Sequence, residues 1–174
     1  PIDEFLSRPR KGVRAELVRM GYELAGGSSP CESVQSLGEV IEAIHDGSLI
    51  VDDIQDNSEV RRNGPTLHRT CGLARALNAG NWLYFWSFQK LKKMNLPEEQ
   101  KTIVSHILQD MLFEGHLGQA LDLAHPADEL PREEIPNLCQ SIMSLKTGSL
   151  TGAAMACGAA AVTTDRAMIE EIKE

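Results

Sequence analysis

Apolar positions along this chain recur at helical spacing. Leu37, Val40, Ile41 and Ile44, continued by the small Ser48, stand at i, i+3, i+4, i+7 and i+11, the stripe of a helix with one buried face. That helix is predicted to run on to about Asp56. Before it, a helix from about Lys11 to Ala25 has Pro9 near its start and Gly26-Gly27 at its end, and Ser28-Ser29-Pro30 forms a loop. Beyond it the pattern predicts helices over about Thr70 to Lys93, Glu98 to Leu112 and Glu114 to Leu123, and one from near Pro131 to about Ala156. Ile103, Ile107 and Met111 mark one apolar face. Asn57 to Thr66 is polar with Gly64-Pro65 as a breaker, and His125-Pro126-Ala127-Asp128 is a second loop. Alternating β-branched runs bounded by hairpin dipeptides are absent. The expectation is one all-α domain over residues 1–174, built of packed, mostly antiparallel helices.

The 174 residues can bury a substantial core, and with 42% apolar and 24% charged residues they read as a globular chain. The net charge of −8 and the lack of a basic stripe exclude nucleic acid as the main partner. A small phosphorylated ligand remains compatible, given a few placed cations or a bridging divalent ion. Cys31, Cys71, Cys139 and Cys157 are widely spaced without metal-ligand spacing, and read as buried free thiols in a reducing, cytoplasmic setting. No apolar run is long enough to span a bilayer, and Leu150 to Val162, rich in Ala and Gly, suits close helix packing instead. The chain begins at Pro1 and ends in the helix-forming Ile169-Glu170-Glu171-Ile172-Lys173-Glu174, so both ends read as cut.

The strongest chemical signal is Asp52-Asp53-Ile54-Gln55-Asp56. On a helix, Asp52 and Asp56 share a face one turn apart, and two such carboxylates repel unless a cation lies between them. Carboxylate oxygens that leave most of the shell to water and phosphate suit Mg²⁺. The aspartates continue an apolar run, Ser48-Leu49-Ile50-Val51, which weighs against an ordinary solvated acidic face. Arg61 and Arg62 follow, with guanidinium forks suited to phosphate. His45 precedes Asp52 by two turns on the same face, and Lys11 and Arg14 lie three apart. Taken singly, His45 reads as a core histidine and the other two as solvated charge.

In this context Leu49 to His68, with Asp-Asp-Ile-Gln-Asp-Asn-Ser then Arg-Arg, resembles the first aspartate-rich motif of trans-isoprenyl diphosphate synthases, above all the geranylgeranyl diphosphate synthases. Pro9-Arg10-Lys11-Gly12-Val13-Arg14 is similar to that family's PGKxxR segment, with Arg10 where Gly is usual. Asn78 to Phe85 resembles its next motif helix, Gly118-Gln119-Ala120-Leu121-Asp122 matches GQxxD, and Lys146-Thr147-Gly148 matches KTG. The five motifs stand in the family's order. One departure is Asn63, where the family has Gly directly after the arginines, so the loop and Arg62 are expected to sit differently.

The resemblance implies an isoprenoid-synthase-type helical bundle around a central cavity. It implies Mg²⁺ on Asp52 and Asp56, carried by an allylic diphosphate that Arg61 contacts. Lys11, Arg14, His45 and Arg62 would hold isopentenyl diphosphate; Gln119 would bind substrate; Lys146 and Thr147 would stabilise developing positive charge. A homodimer is the implied assembly. Small residues at Gly47 and Ser48 favour a C20 or longer product. The family's second aspartate-rich motif lies downstream of KTG and is not in this chain, so the chain is expected to be an N-terminal portion, inactive alone. Competing readings are a class I terpene cyclase, which has no need of the Lys11/Arg14/His45 patch, a non-catalytic regulatory partner of a prenyltransferase, and a helical domain without a site.

Overall fold

The computed structural model describes residues 1–28, 31–124 and 130–174. Its elements are α1 (Ile2–Ser7), α2 (Val13–Leu24), α3 (Glu32–Gln55), β1 (Val60–Arg61), β2 (Gly64–Pro65), α4 (Leu67–Cys71), α5 (Leu73–Lys93), α6 (Glu98–Ala124), α7 (Ile135–Met143), α8 (Ser149–Ala160) and α9 (Arg166–Lys173). A π-helical turn, Ser144–Gly148, joins α7 to α8.

The central element is α3. Its expected stripe is buried, with Leu37, Val40 and Ile41 fully enclosed and Ile44 nearly so. These side chains meet Val18 of α2, Val104 and Leu108 of α6, and Ala153 and Cys157 of α8 in the main core. Each fully buried aliphatic side chain there contributes roughly 1.5–3 kcal/mol. The other side of α3 builds a second cluster, in which Ala43 and Ile50 pack with Phe5, Leu67, Ala76, Ala79 and Leu83. The Ser87 hydroxyl donates to the Val40 carbonyl, so this buried polar side chain at the α3–α5 seam is satisfied.

Small residues set how closely the helices approach, as expected for the Ala/Gly-rich segment in α8. A Cβ on Gly158 would stand 1.9 Å from the Val18 carbonyl oxygen, and one on Gly21 would stand 2.0 Å from that of Met155. The α2 and α8 backbones therefore touch.

Several expectations change. A short helix, α1, precedes the first predicted one. Gly72, at φ +86°, divides the expected Thr70–Lys93 helix into α4 and α5, a backbone conformation that a side chain would strain. The two helices expected over Glu98–Leu123 are a single one, α6, unbroken at Phe113. The helix expected from Pro131 begins at Ile135 and is interrupted by the π-turn. A two-residue hairpin, Val60 opposite Pro65 and Arg61 opposite Gly64, occupies the expected loop. Only Cys157 is a fully buried thiol, pushed up to about 12 by burial; Cys31 and Cys71 are half-buried and Cys139 is exposed, all four free. The loop expected over 125–128 lies outside the described residues. No helix among the described residues is long and apolar enough to cross a membrane.

Candidate active site

Two acidic faces diverge at the C-terminal end of α3. Asp46 and Asp53, seven apart and each 1% exposed, face the β1–β2 hairpin. Arg62 Nη2 lies 2.6 Å from Asp46 Oδ1, and Arg10 Nη1 lies 2.6 Å from Asp46 Oδ2. Arg61 donates through Nε and Nη2 to Asp53 Oδ1, at 2.9 and 2.6 Å, and its Nη2 stands 3.5 Å from Asp52 Oδ2. A buried carboxylate stripped of its partner would be strongly destabilising, so these pairs fix the hairpin's place. At its tip, Arg62 and Asn63 take φ +51° and +60°, the pattern of a type I′ turn. Asn tolerates this region. Arg62 is held there against its backbone preference.

The second face carries Asp52 and Asp56. Lys146 on the π-turn places Nζ 3.3 Å from Asp52 Oδ1 and 2.7 Å from Asp122 Oδ2 of α6. Burial opposes the Lys146 charge, but the hydrogen bond to Asp122 and the pull of Asp52 outweigh it and hold the ammonium above its ordinary pKa. Asp56 is the exposed residue that caps α3, and its carboxyl is raised, first by burial and then by repulsion from Asp52. Gln119 donates to Gln55 Oε1 at 2.9 Å.

Between the Asp52 side of α3 and α2, α5, α6 and α8 lies a cavity of about 320 Å³. Its polar lining, including Asp52, Gln55, Gln119 and Lys146, is the more exposed part; Ile44, Met111 and Leu150, at 2, 5 and 6% exposure, form its apolar floor. Arg14 and His45 also line it. Burial, then Arg14, Arg62, Arg61 and Arg10, lower His45 to about 3, so its imidazole is neutral at ordinary pH. Arg14 Nε and Arg62 Nη1 are buried with no hydrogen-bond partner among the described residues. Arg14 lines the cavity and Arg62 does not; a buried guanidinium N–H left open beside a cavity suits an anion.

The acidic face in turn calls for a cation. Asp52 already draws in the Lys146 ammonium, and Asp56, raised first by burial and then by repulsion from Asp52, stands one turn on. Among the described residues no three acidic, His or Cys groups come together to hold a metal ion; Asp52 and Asp56, one turn apart on α3, would leave most positions of a hard dication to water and phosphate.

With that arrangement in place, comparison with known proteins is decisive: the polyprenyl synthetase profile matches residues 1–174. The chain belongs to the polyprenyl synthetase family. A geranylgeranyl pyrophosphate synthase of Fusarium fujikuroi is 37% identical over 123 residues, covering 71% of this chain and 28% of that protein. The geranylgeranyl pyrophosphate synthetase of Pyrococcus horikoshii superposes with a TM-score of 0.80 at 30% identity, over 94% of this chain and 49% of that one. A polyprenyl synthase of Caulobacter crescentus, solved with calcium and isoprenyl diphosphate, superposes at 0.80 with 25% identity, over 95% of this chain and 47% of that one. The chain thus spans half or less of the length of these relatives. Its all-helical fold is that of the isoprenoid synthases.

Within this polyprenyl synthetase chain, the structure gathers most of the expected site residues. Asp52, Arg61 and Lys146 meet directly, and Arg14, His45, Gln119 and Thr147 line the same cavity. Asp56 stands at the end of the aspartate face. Arg62 turns to Asp46, and Asn63 beside it adopts a left-handed backbone. Lys11 does not share a helix face with Arg14: it is exposed and precedes the Gly12 cap of α2, paired with nothing among the described residues. Gly47 does not face the cavity either, since it packs on Gly80; Ser48 alone of the two small residues lines it. Sequence reasoning missed Asp46 and Asp53, although their heptad spacing marks them as one face. It also missed Tyr84 and His116, which pair edge to face with ring centroids 5.6 Å apart and line the cavity.

Proposed function

We propose that this chain forms the first-aspartate-motif portion of a Mg²⁺-dependent trans-prenyltransferase, which condenses isopentenyl diphosphate with an allylic diphosphate to give geranylgeranyl diphosphate. One observation carries the reading. A single cavity joins the Asp52 carboxylate, Arg14 with a buried open N–H, the neutral His45 and an apolar floor, and Asp56, Arg61 and Arg62 stand beside it on α3 and the hairpin.

Asp52 and Asp56 would hold the metal. Bound there, Mg²⁺ supplies neutralisation of the leaving diphosphate. Arg61, whose guanidinium stands between Asp53 and Asp52, turns its remaining N–H groups to the same diphosphate. Arg14, His45, Arg62 and, from the exposed turn, Lys11 take the second diphosphate and hold its homoallylic double bond against C1 of the allylic chain. The allylic C–O bond breaks, the double bond forms the new C–C bond at C1, and one proton leaves the adjacent carbon for the released diphosphate. Lys146 and Thr147, with Gln119 opposite, bound the polar end of the cavity, where a preorganised field stabilises separating charge. Ile44, Met111 and Leu150 keep water from the lengthening chain. Ser48 leaves that channel open, which favours the C20 product over shorter ones.

The exposed Leu77 and Phe85 of α5 and Phe113 and Leu117 of α6 offer an apolar face for the homodimer implied by the resemblance. The test of function is product analysis of the full-length gene product with Mg²⁺, isopentenyl diphosphate and a series of allylic primers. An all-trans C20 diphosphate that disappears when isopentenyl diphosphate is omitted supports the reading. A cyclised hydrocarbon made from a prenyl diphosphate alone would assign the chain to a terpene cyclase instead.

A further inference from the structure

Arg8 lies outside every motif discussed above, yet it is among the few buried charged residues of the chain. Its Nη1 donates to the backbone carbonyls of Arg61 and Pro65, at 3.0 and 2.8 Å, one on each strand of the hairpin. Nε and Nη2 grip both oxygens of Glu4, one turn back on α1, at 2.9 and 3.0 Å. Phe5, fully enclosed in the second core cluster, lies under two guanidinium groups, with its ring centre 5.3 Å from Arg8 Cζ and 5.9 Å from Arg62 Cζ. Farther along the same segment, Arg10 shares Asp46 with Arg62. The N-terminal segment therefore touches the arginine hairpin through Arg8 and Phe5, and shares Asp46 with it through Arg10.

A two-residue hairpin has little stability of its own. Here it must keep Arg62 in a left-handed backbone and Arg61 over Asp53. The local bonds beyond the β-pair are few: the Thr66 amide to the Glu59 carbonyl, and the Thr66 hydroxyl to that of Ser58. Charge-assisted bonds from one rigid guanidinium to carbonyls on both strands lock their separation and the pitch of the tip between them.

We infer that Arg8 is a positioning residue: anchored by Phe5 and Glu4, it clamps the hairpin so that Arg61 and Arg62 present their side chains to diphosphate. This inference rests on the diphosphate-binding role proposed above for those arginines. Gly64 belongs to the clamp, because a Cβ there would lie 2.7 Å from Arg8 Cζ and no positive φ demands glycine at that position. An alanine would press on the Arg8 guanidinium while every residue of α1 and of the cores keeps its own side chain.

The experiment titrates inorganic pyrophosphate with Mg²⁺ into the full-length gene product and its Arg8→Ala, Arg8→Lys and Gly64→Ala variants, alongside amide exchange over residues 57–66 and thermal unfolding. Arg8→Ala and Gly64→Ala are expected to exchange the hairpin amides at least tenfold faster and to bind pyrophosphate at least fivefold more weakly, with Gly64→Ala melting within a few degrees of the parent. Arg8→Lys, able to reach one carbonyl, should recover part of the affinity. Parent-like affinity in both Arg8→Ala and Gly64→Ala overturns the inference, as does affinity that merely tracks the melting temperature. If the parent binds no pyrophosphate, the diphosphate reading itself fails, and unchanged hairpin exchange in the variants then rejects the clamp separately.

Discussion

Lys146 and Asp52, 94 residues apart in the chain, stand with Nζ 3.3 Å from Oδ1 across the head of the cavity. The ammonium sits among carboxylates that the proposed function gives to a metal, so it both competes with a cation and assists an anion. Lys146→Met should therefore have opposite effects on the two ligands. Affinity for Mg²⁺ alone should rise about fivefold, the effect of removing ~1 kcal/mol of partly screened repulsion, while affinity for pyrophosphate in the presence of Mg²⁺ falls. Calorimetric titration of each ligand checks this, and a change of the same sign for both would contradict it.

His45 is neutral in the folded chain, lowered to about 3 by burial and by the surrounding arginines, against an ordinary value near 6.5. Between those values the unfolded chain binds the extra proton and the folded chain does not, so this residue makes stability fall as pH drops from about 6.5 towards 3. Asp56, with its carboxyl raised, acts in the opposite direction. Urea unfolding of the parent and His45→Gln at pH 7, 6 and 5 isolates the histidine. The variant should show a shallower loss of stability with acidification, and parallel curves would reject the neutral, arginine-surrounded imidazole.

Much of this arrangement was legible in the sequence. The stripe of α3, the aspartate pair at its end and the order of the five motifs sufficed for the fold class and pointed to Arg14, His45, Ser48, Asp52, Gln119, Lys146 and Thr147, all of which line the cavity. What escaped depends on tertiary packing. The expected break at Phe113 is absent, and α6 runs on through Gly118, where the missing side chain seats the helix on Leu145 and Lys146. The π-turn that aims Lys146 has no local signature; inserted residues of this kind rotate the following side chains and are common at functional sites. Arg-Asn is a poor hairpin dipeptide by propensity, and only its ties to Asp46, Phe5 and Arg8 make that turn the stable one.

Backbone contact between α2 and α8 makes Gly158 intolerant of any side chain. Gly158→Ala should cost roughly 3 kcal/mol or more, the upper range for overpacking, and lower the melting temperature by about 6–12 °C in a chain of this length. Thermal unfolding followed by circular dichroism measures it. A loss under 2 °C would show that the helices can part freely.

Ser48 borders the cavity on the wall next to Asp52. In the full-length gene product, Ser48→Phe should shorten the principal product by one or more isoprene units while activity is retained. Chromatography of the dephosphorylated products reads the length, and an unchanged C20 product would move the ruler elsewhere.

The central claim is that Asp52 and Asp56 together hold a divalent cation that in turn holds diphosphate. The most direct measurement is calorimetric titration of pyrophosphate into this chain with and without Mg²⁺, repeated for Asp52→Asn and Asp56→Asn. The account predicts binding that requires Mg²⁺ and weakens at least tenfold in each variant, with the helical content intact. Binding that is indifferent to Mg²⁺, or undiminished in both variants, would contradict it.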